Sequence, residues 1–253
     1  MDSHLIEALE RIAAVPELLV AADFDGTLSP LVPDPAAAEP HERALAALTR
    51  LSHMSGVHGV IISGRERGVL AELTGAPESV VLIGTHGTET DEAPDPEAAA
   101  QVRRLVAALG EVAAAHEGTL LEPKPSGASL HYRQAIDRQA AAEAAQEVGR
   151  RFGVRMIHGK EVVELLVGDG DKGTAIAAQR RRAGATAVVF LGDDTTDEDV
   201  FRTLGVDDVG VKVGEGETAA GHRVDDPDGV ASVLEALIVL RSGRSGSDES
   251  VLS

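Results

Sequence analysis

The stretch from Leu18 to Leu28 constrains the fold of this chain more than any other part of its sequence. It begins with five apolar residues in a row and ends in a turn at Gly26, a pattern typical of a strand buried in a parallel sheet. Asp23 and Asp25 follow at the carboxyl end of that strand, where open α/β sheets bind their ligands. Because buried carboxylates repel each other, this pair predicts a bound cation or a shared proton. A plain turn built on Asp25 and Gly26 is the alternative interpretation.

Composition excludes several classes of function. The chain has 253 residues, enough for one large domain or for a core with an insert. Its formal net charge of −19 disfavours nucleic acid and membrane surfaces as partners, and the lack of cysteine excludes disulfides and thiolate chemistry. The sequence shows no signal peptide and no apolar run of membrane-spanning length, so we expect a cytoplasmic protein. Because of the negative charge, any anionic substrate requires local cations or helix N-termini.

A second predicted strand, 57–62, ends directly before Ser63, Gly64 and Arg65. A hydroxyl residue after a strand, followed by glycine, is suited to bind a phosphoryl oxygen through its side chain and a backbone N–H. Ser-Gly is also a common turn, so the position of this pair matters more than the pattern itself.

Lys172 begins a predicted helix that runs through Ile176 and Arg180. A positive charge at the start of a helix opposes the helix dipole, which favours anions there. A cationic site for phosphate explains this lysine better than helix stability does.

A second acidic segment, Gly192–Asp199, follows the predicted strand 186–191 and holds five carboxylates within seven residues. Carboxylates at this density require cations or exposure to water. Asp193 and Asp194 are best placed beside Asp23, and we expect Asp197 to cap the following helix.

Strands and helices alternate from residue 18 to residue 83 and again from residue 171 to residue 241, which predicts an α/β fold with a parallel sheet. After the third strand, 79–83, two glycines flank His86. A lone histidine is more often structural than catalytic, so His86 is only a candidate.

The hydrophobic periodicity changes between the two α/β regions, 18–83 and 171–241. Residues 92–167 predict two successive α-β-β units, which indicates an inserted α+β unit, an antiparallel sheet with helices on one face. Strand alternation gives the other face a set of polar side chains suited to bind a polyol. The set consists of Glu122, Lys124, His131, Arg133, Lys160 and Glu164. A solvated charged face is the alternative interpretation.

The four acidic, hydroxyl and lysine segments resemble, in order, the four motifs of the haloacid-dehalogenase-like (HAD) phosphohydrolases, and the insertion resembles their C2-type cap. Within that superfamily the chain resembles the trehalose-6-phosphate phosphatases over about residues 18–240. The segments that support this resemblance are Gly84-x-His86-Gly87-x-Glu89, Ser129-Leu-His131-Tyr-Arg133, Gly159-Lys160-x-Val-Val-Glu164 and Gly192-Asp193-Asp194-Thr-Thr-Asp197.

This resemblance implies a Rossmann-like HAD core at 1–91 and 168–241, a cap at 92–167 and a disordered tail at 242–253. It implies a Mg²⁺-dependent phosphatase in which Asp23 is the nucleophile and Asp25 the general acid/base. The phosphate-binding residues would be Ser63, Gly64, Arg65 and Lys172, and the metal ligands Asp23, the backbone carbonyl of Asp25, Asp193 and Asp194. The sugar phosphate would be bound by His86 and the six polar residues of the inserted unit. We expect a monomer.

One departure from the family leaves the sugar open. The family has a basic residue and a proline after its Glu-(Ile/Leu) pair, whereas this chain has Leu166 and Val167. A phosphorylated pseudo-disaccharide, such as an aminocyclitol intermediate, is therefore an alternative to trehalose 6-phosphate. A phosphomutase and a non-catalytic sugar-phosphate sensor are more distant alternatives.

Overall fold

The computed structural model describes residues 2–90, 96–168 and 170–248, with the backbone alone for 244–248. Contacts divide these residues into two compact units. The first, here called the parallel unit, runs up to Gly87 and resumes at Asp171, and the second, the antiparallel unit, is Thr88–Gly170. The boundaries expected from the sequence, 91–92 and 167–168, lie a few residues away from these.

Helices and strands are numbered in chain order. The strands are β1 (Leu18–Asp23), β2 (Val57–Ile62), β3 (Val80–Ile83), β4 (Leu120–Lys124), β5 (Gly127–His131), β6 (Arg155–Gly159), β7 (Val162–Leu166), β8 (Ala187–Gly192), β9 (Val209–Val213) and β10 (His222–Val224). The helices are α1 (Ser3–Ile12), α2 (Glu42–Ser52), α3 (Arg67–Thr74), α4 (Pro96–Ala115), α5 (Arg138–Phe152), α6 (Lys172–Ala183), α7 (Glu198–Phe201) and α8 (Pro227–Asp248). Within the described residues, no helix is both long and apolar enough to cross a membrane.

The parallel unit is built on a parallel sheet with the strand order β10-β9-β8-β1-β2-β3. Strands β1 and β8 are buried along their whole length, as their continuous Leu, Val and Ala runs predict. β1 lies between β2 and β8, which places it at the centre of the site described below. Strand β10 was not predicted, because a segment of three residues is too short to show a period.

Helices cover both faces of this sheet, as expected for a Rossmann-like fold. On one face, α1, α2 and α8 bury Leu5, Leu48 and Leu234 against the strands. On the other face, Ile176 of α6 and Phe201 of α7 join a second apolar cluster. The chain contains few aromatic residues, so most of the side chains in both layers are aliphatic.

The antiparallel unit contains a sheet with the strand order β4-β5-β7-β6 and antiparallel pairing throughout. Helices α4 and α5 pack on one face, where Leu105 and Val148 meet Leu130 and Leu165 of the strands. The predicted mixed fold of a parallel sheet and a separate antiparallel sheet is confirmed. Strand alternation leaves the side chains of Ser129, His131 and Glu164 on the face opposite to these helices.

The end of the chain differs from the sequence-based expectation. The sequence predicts a disordered tail from residue 242, but α8 continues to Asp248. No proline interrupts this segment, and extending an existing helix adds one hydrogen bond per residue fixed, which is enough to continue through Ser and Gly. The last part of the predicted tail, 249–253, lies outside the described residues.

Candidate functional site

Three adjacent strands bring the candidate residues to one edge of the parallel sheet. β1 ends at Asp23, β2 ends one residue before Ser63, and β8 ends one residue before Asp193. Because these strands are parallel neighbours, their carboxyl ends adjoin. This is the edge at which open α/β sheets bind ligands.

Lys172 reaches into this edge from the first position of α6. The Asp171 side chain caps the helix by accepting a hydrogen bond of 2.7 Å from the backbone N–H of Thr174. Lys172 is 2% exposed, and its Nζ lies 2.5 Å from Asp23 Oδ1 and 2.8 Å from Asp197 Oδ1. Burial disfavours the ammonium, but the two carboxylates outweigh it and raise the pKa of Lys172 above its ordinary value. The lysine at the helix start therefore holds two buried carboxylates together.

A cluster of three carboxylates surrounds this lysine. Asp23, Asp193 and Asp197 each place an oxygen within 4.8 Å of the other two. Burial is the main cause that raises the pKa of Asp23 well above its usual range, and Asp197 and Asp193 add to it. Burial, followed by Asp197 and Asp194, raises the pKa of Asp193 to about 6. These shifts indicate that the protein alone does not neutralise the cluster.

The donor set of this cluster fits a divalent cation. Asp193 Oδ1 is buried and has no hydrogen-bond partner among the described residues. Oxygen atoms of carboxylates are the ligands that hard divalent cations prefer. A cation would supply the missing partner for Asp193 and would offset the repulsion within the cluster.

The structure places Asp194 and Asp197 differently from the sequence-based expectation. Asp194 was expected at the metal, but it is exposed, and its Oδ1 accepts a hydrogen bond of 2.6 Å from the N–H of Thr195. Asp197 precedes α7 without capping it through its side chain. Its Oδ2 instead accepts a hydrogen bond of 2.9 Å from the N–H of Asp194, and the residue is fully buried. The loop after β8 thus turns Asp197, and not Asp194, into the cluster.

Asp25 lies beside Arg65 and outside the cluster of three carboxylates. Arg65 donates from Nε to Asp25 Oδ2 over 2.8 Å and from Nη2 to Asp25 Oδ1 over 2.7 Å. Ser63 Oγ lies 3.5 Å from Asp25 Oδ2 and accepts a hydrogen bond from the N–H of Arg65. Arg65, predicted to bind phosphate, therefore holds the Asp25 carboxylate through a two-pronged ion pair. Only the backbone carbonyl of Asp25 remains as its candidate metal ligand.

His86 lies on the segment that supports the Ser63–Arg65 loop. Its backbone N–H donates to the Ser63 carbonyl over 2.9 Å, and the N–H of Thr85 donates to the Arg65 carbonyl over 2.8 Å. Both Thr85 and His86 have positive φ, at 47° and 55°, a conformation that is strained for side-chain-bearing residues. A Cβ at Gly64 would come within 2.5 Å of His86 Cε1, so a larger residue at this position would require the His86 ring to move. His86, predicted to bind the sugar, thus belongs to the parallel unit.

Four of the predicted sugar-binding residues share one face of the antiparallel sheet. His131 Nε2 lies 2.7 Å from Glu122 Oε2, and Lys124 Nζ donates to Glu164 Oε1 over 2.8 Å. The first pair is exposed, with side chains 40% and 49% accessible, whereas the second is only 13% and 12% accessible. We call these four residues the polar face.

Arg133 and Lys160 lie outside the strands and do not join the polar face. β5 ends at His131, so strand alternation does not extend to Arg133, and the Arg133 Nε donates to Glu161 Oε2 over 3.1 Å. Lys160 is exposed in the turn between β6 and β7. Arg155, for which the sequence predicts no role, pairs with Leu166 across the sheet and donates to the Gly170 carbonyl over 3.0 Å.

Comparison with protein-family models shows to which family the chain belongs. Residues 21–228 match the family model for trehalose-phosphatase. The chain belongs to the trehalose-phosphatase family. The resemblance drawn from the motif segments is therefore confirmed.

Curated relatives in this family are longer than this chain. The trehalose-phosphate phosphatase of Mycobacterium ulcerans is 35% identical over 260 aligned residues, covering 91% of this chain and 66% of the relative. That of Mycobacterium avium is 37% identical, covering 85% of this chain and 60% of the relative. The chain thus spans about two thirds of the length of the curated relatives it matches.

Solved structures confirm the fold of this trehalose-phosphatase family member. The Aspergillus fumigatus trehalose-6-phosphate phosphatase superposes with a TM-score of 0.69 at 27% identity, covering 96% of this chain and 98% of that one. A haloacid dehalogenase-like hydrolase from Bacteroides thetaiotaomicron shows the same fold, with a TM-score of 0.65 at 17% identity, covering 87% of this chain and 98% of that one.

Proposed function

We propose that this chain is a Mg²⁺-dependent phosphohydrolase that removes phosphate from a disaccharide phosphate, with trehalose 6-phosphate as the first candidate and trehalose as the product. The observation that supports this most is the buried contact between Asp23 and Lys172 beside the unpartnered Asp193 oxygen. The family match and the names of the relatives supply the substrate class. We also propose that it acts as a monomer on a small molecule.

In the first step, a carboxylate oxygen of Asp23 attacks phosphorus and forms an aspartyl phosphate. The bond between phosphorus and the sugar oxygen breaks, and Asp25 donates the proton that this oxygen takes up. Arg65 fixes the orientation of Asp25 through both carboxylate oxygens. To act as the acid, Asp25 must take up a proton on one oxygen and release the Arg65 hydrogen bond there. Lys172 and Ser63 bind the phosphoryl oxygens, where stabilisation of charge contributes most to the rate.

In the second step, water attacks the phosphorus of the aspartyl phosphate. Asp25, now a carboxylate, accepts a proton from that water, and the bond between phosphorus and the Asp23 oxygen breaks. Inorganic phosphate leaves, and both carboxyl groups return to their starting protonation states. The same residue thus serves both steps, and it lies outside the acidic cluster that contains the nucleophile.

The residues that would hold Mg²⁺ are Asp23, Asp193 and Asp197, together with the backbone carbonyl of Asp25. When bound, the cation would offset the repulsion between the Asp23 carboxylate and the phosphoryl oxygens. Asp197 replaces Asp194 in this proposal because Asp197 lies in the cluster and Asp194 does not.

The polar face of the antiparallel unit is proposed to bind the hydroxyl groups of the sugar. One observation favours a related pseudo-disaccharide as the second candidate substrate. Leu166 and Val167 are 0% and 7% exposed at the position where the family has a basic residue and a proline. A buried apolar side chain cannot replace the hydrogen bonds of a basic one, so the sugar that is accepted differs in its contacts here.

Measuring phosphate release from a panel of sugar phosphates, with Mg²⁺ or with EDTA, tests this proposal. We expect release that depends on Mg²⁺ and a preference for one disaccharide or pseudo-disaccharide phosphate in kcat/KM. Release of no phosphate from any substrate would contradict it and would favour a sensor. Isomerisation of a sugar phosphate without net release would indicate a phosphomutase.

A further inference from the structure

Lys212 is an unexpected buried charge next to the candidate cation site. It lies in β9 between Val211 and Val213, in a strand that otherwise contains only Val and Gly. Lys212 is 5% exposed, although a lysine is almost never buried unless its charge is compensated. A single lysine in a short apolar strand also fits an edge position, so the sequence alone does not reveal this burial.

The ammonium of Lys212 ties two segments together through their carbonyl groups. Its Nζ donates to the backbone carbonyl of Asp193 and, over 2.8 Å, to that of Val213. β8 and β9 are parallel neighbours in which Gly192 pairs with Lys212. The Lys212 side chain therefore reaches the residue directly after its strand partner, which is Asp193. Within the described residues, the contacts of Lys212 are hydrogen bonds to backbone carbonyls, and no carboxylate forms an ion pair with it.

Asp193 is held from two directions by these contacts. On one side, Lys212 binds its carbonyl group. On the other, the carboxylate lies against Gly26, which has a φ of 85° and leaves no room for a side chain. The Asp193 carboxylate therefore has little freedom to move away from Asp23 and Asp197.

We propose that Lys212 is a positioning residue that fixes Asp193 for cation binding. Its hydrogen bond is to the Asp193 backbone, and its charge also acts on the Asp193 carboxylate, so Lys212 acts through Asp193. This inference rests on the proposed function only in taking the carboxylate cluster as a cation site. It assigns a function to a buried charge that neither the phosphatase chemistry nor the packing of β9 explains.

Binding of Mn²⁺ to the substrate-free protein tests this inference without an activity assay. The affinity is measured from the EPR signal of free Mn²⁺. Loss of a group that orients a metal ligand typically weakens metal binding about 10- to 100-fold. We therefore expect Lys212→Met to raise the Mn²⁺ dissociation constant about 10- to 100-fold, and Lys212→Arg, which keeps charge and donors, to restore most of the affinity.

Arg223→Met is the matched control. Arg223 pairs with Lys212 on the next strand, β10, and likewise donates to backbone carbonyls, those of Gly214 and Gly216, but not to Asp193. We expect this variant to keep the Mn²⁺ affinity of the unmodified chain. If Lys212→Met does not fold, as judged by circular dichroism in EDTA, Lys212→Gln provides the same comparison with a smaller change in polarity.

The outcomes separate this inference from the proposed function. A folded Lys212 variant that binds Mn²⁺ within about threefold of the unmodified chain, or more tightly, would overturn the inference. The inference would also fail if Arg223→Met weakened binding equally, because the effect would then be structural. If the unmodified chain bound no Mn²⁺ at all, both the cation site and this inference would be wrong, whereas failure of the Lys212 variants alone leaves the phosphatase proposal in place.

Discussion

The two units of this molecule differ in how deeply they bury the charged residues of their candidate sites. In the parallel unit, Asp23, Lys172 and Asp197 are 4%, 2% and 0% exposed and meet within hydrogen-bond distance. In the antiparallel unit, the side chains of Glu122 and His131 are 49% and 40% exposed. Exposed ion pairs contribute about 0–1 kcal/mol, whereas breaking a buried pair is strongly destabilising. The parallel unit therefore retains these buried charges, and the exposed Glu122–His131 pair can exchange its contacts for those of a ligand, whereas the Lys124–Glu164 pair is largely enclosed.

This contrast indicates a division of tasks. Charges buried next to a nucleophile act strongly on a phosphoryl group, since the low dielectric strengthens each interaction. Polar groups that are paired but accessible can bind hydroxyl groups at a small cost. We therefore expect substitutions in the parallel unit to affect every phosphate ester, and substitutions in the antiparallel unit to affect sugar phosphates alone.

The largest expected effect comes from Asp23→Asn. The amide cannot attack phosphorus, so turnover should fall by more than about 10³-fold on trehalose 6-phosphate and on p-nitrophenyl phosphate alike. Steady-state kinetics on both substrates, with circular dichroism to verify the fold, measures this. Activity within about tenfold of the unmodified chain would exclude Asp23 as the nucleophile.

A comparison of Asp197→Asn with Asp194→Asn tests which of these two carboxylates acts at the candidate cation site. Asp197 is buried against Lys172, so its amide variant should lose about 100-fold in kcat/KM. Asp194 is exposed and binds only its own loop, so its variant should remain within about fivefold. The two variants make a matched pair because they remove the same charge three residues apart. Equal losses would restore Asp194 as a metal ligand.

The polar face of the antiparallel unit is tested by Glu122→Ala and Glu164→Ala, one carboxylate from each of its two pairs. If these residues bind the sugar, each change should cost about 10- to 100-fold in kcat/KM with a disaccharide phosphate, because a hydrogen bond to a charged group contributes about 1.5–3 kcal/mol. With p-nitrophenyl phosphate, which has no sugar hydroxyls, the loss should largely vanish. Equal losses on both substrates would show that the residues support the fold, and no loss on either would leave the polar face merely solvated.

The smallest expected effect is that of Asp193 on the thermal stability of the cation-free protein. The pKa of Asp193 is raised from 3.8 to about 6, so between these values the folded chain binds a proton that the unfolded chain has lost. The contribution of Asp193 to the free energy of unfolding therefore falls as pH rises from about 4 to about 6 and stays low above it.

Asp193→Asn removes this titration. In EDTA at about pH 7 the variant should melt a few degrees higher than the unmodified chain, and the difference should disappear near about pH 4. Thermal unfolding at a series of pH values checks this. Adding Mg²⁺ at about pH 7 should stabilise the unmodified chain alone. A variant that melts lower in EDTA at that pH would show that the cluster is not under repulsion.

Much of the parallel unit could be predicted from the sequence. The buried runs that form β1 and β8 are continuous, that of β2 is interrupted only at His58, and each strand ends at or directly before a polar residue. Parallel strands bring their carboxyl ends together, so the proximity of Asp23, Ser63 and Asp193 follows from local patterns alone. The turn after β8 does not follow from such patterns, because whether Asp194 or Asp197 points into the cluster depends on the path of a short loop.

Tertiary contacts account for the other residues that the sequence did not place. Lys212 stands out only when its burial is known, and Arg155 only when β6 is paired with β7. Arg133 was assigned to the polar face by strand alternation, but its strand ends two residues earlier, at His131. Strand ends are among the least reliable predictions from sequence, since they are decided by pairing and not by composition.

Trapping the covalent intermediate tests the central claim most directly. In a rapid-quench experiment with phosphate-labelled substrate, we expect label on the protein within a single turnover and its loss on treatment with hydroxylamine. Reduction with borohydride should convert the phosphorylated side chain at position 23 to homoserine, which peptide mass spectrometry detects. Asp25→Asn should increase the trapped fraction if breakdown slows more than formation, and Asp23→Asn should abolish it. Steady phosphate release with no labelled protein, or with label at another residue, would contradict the account.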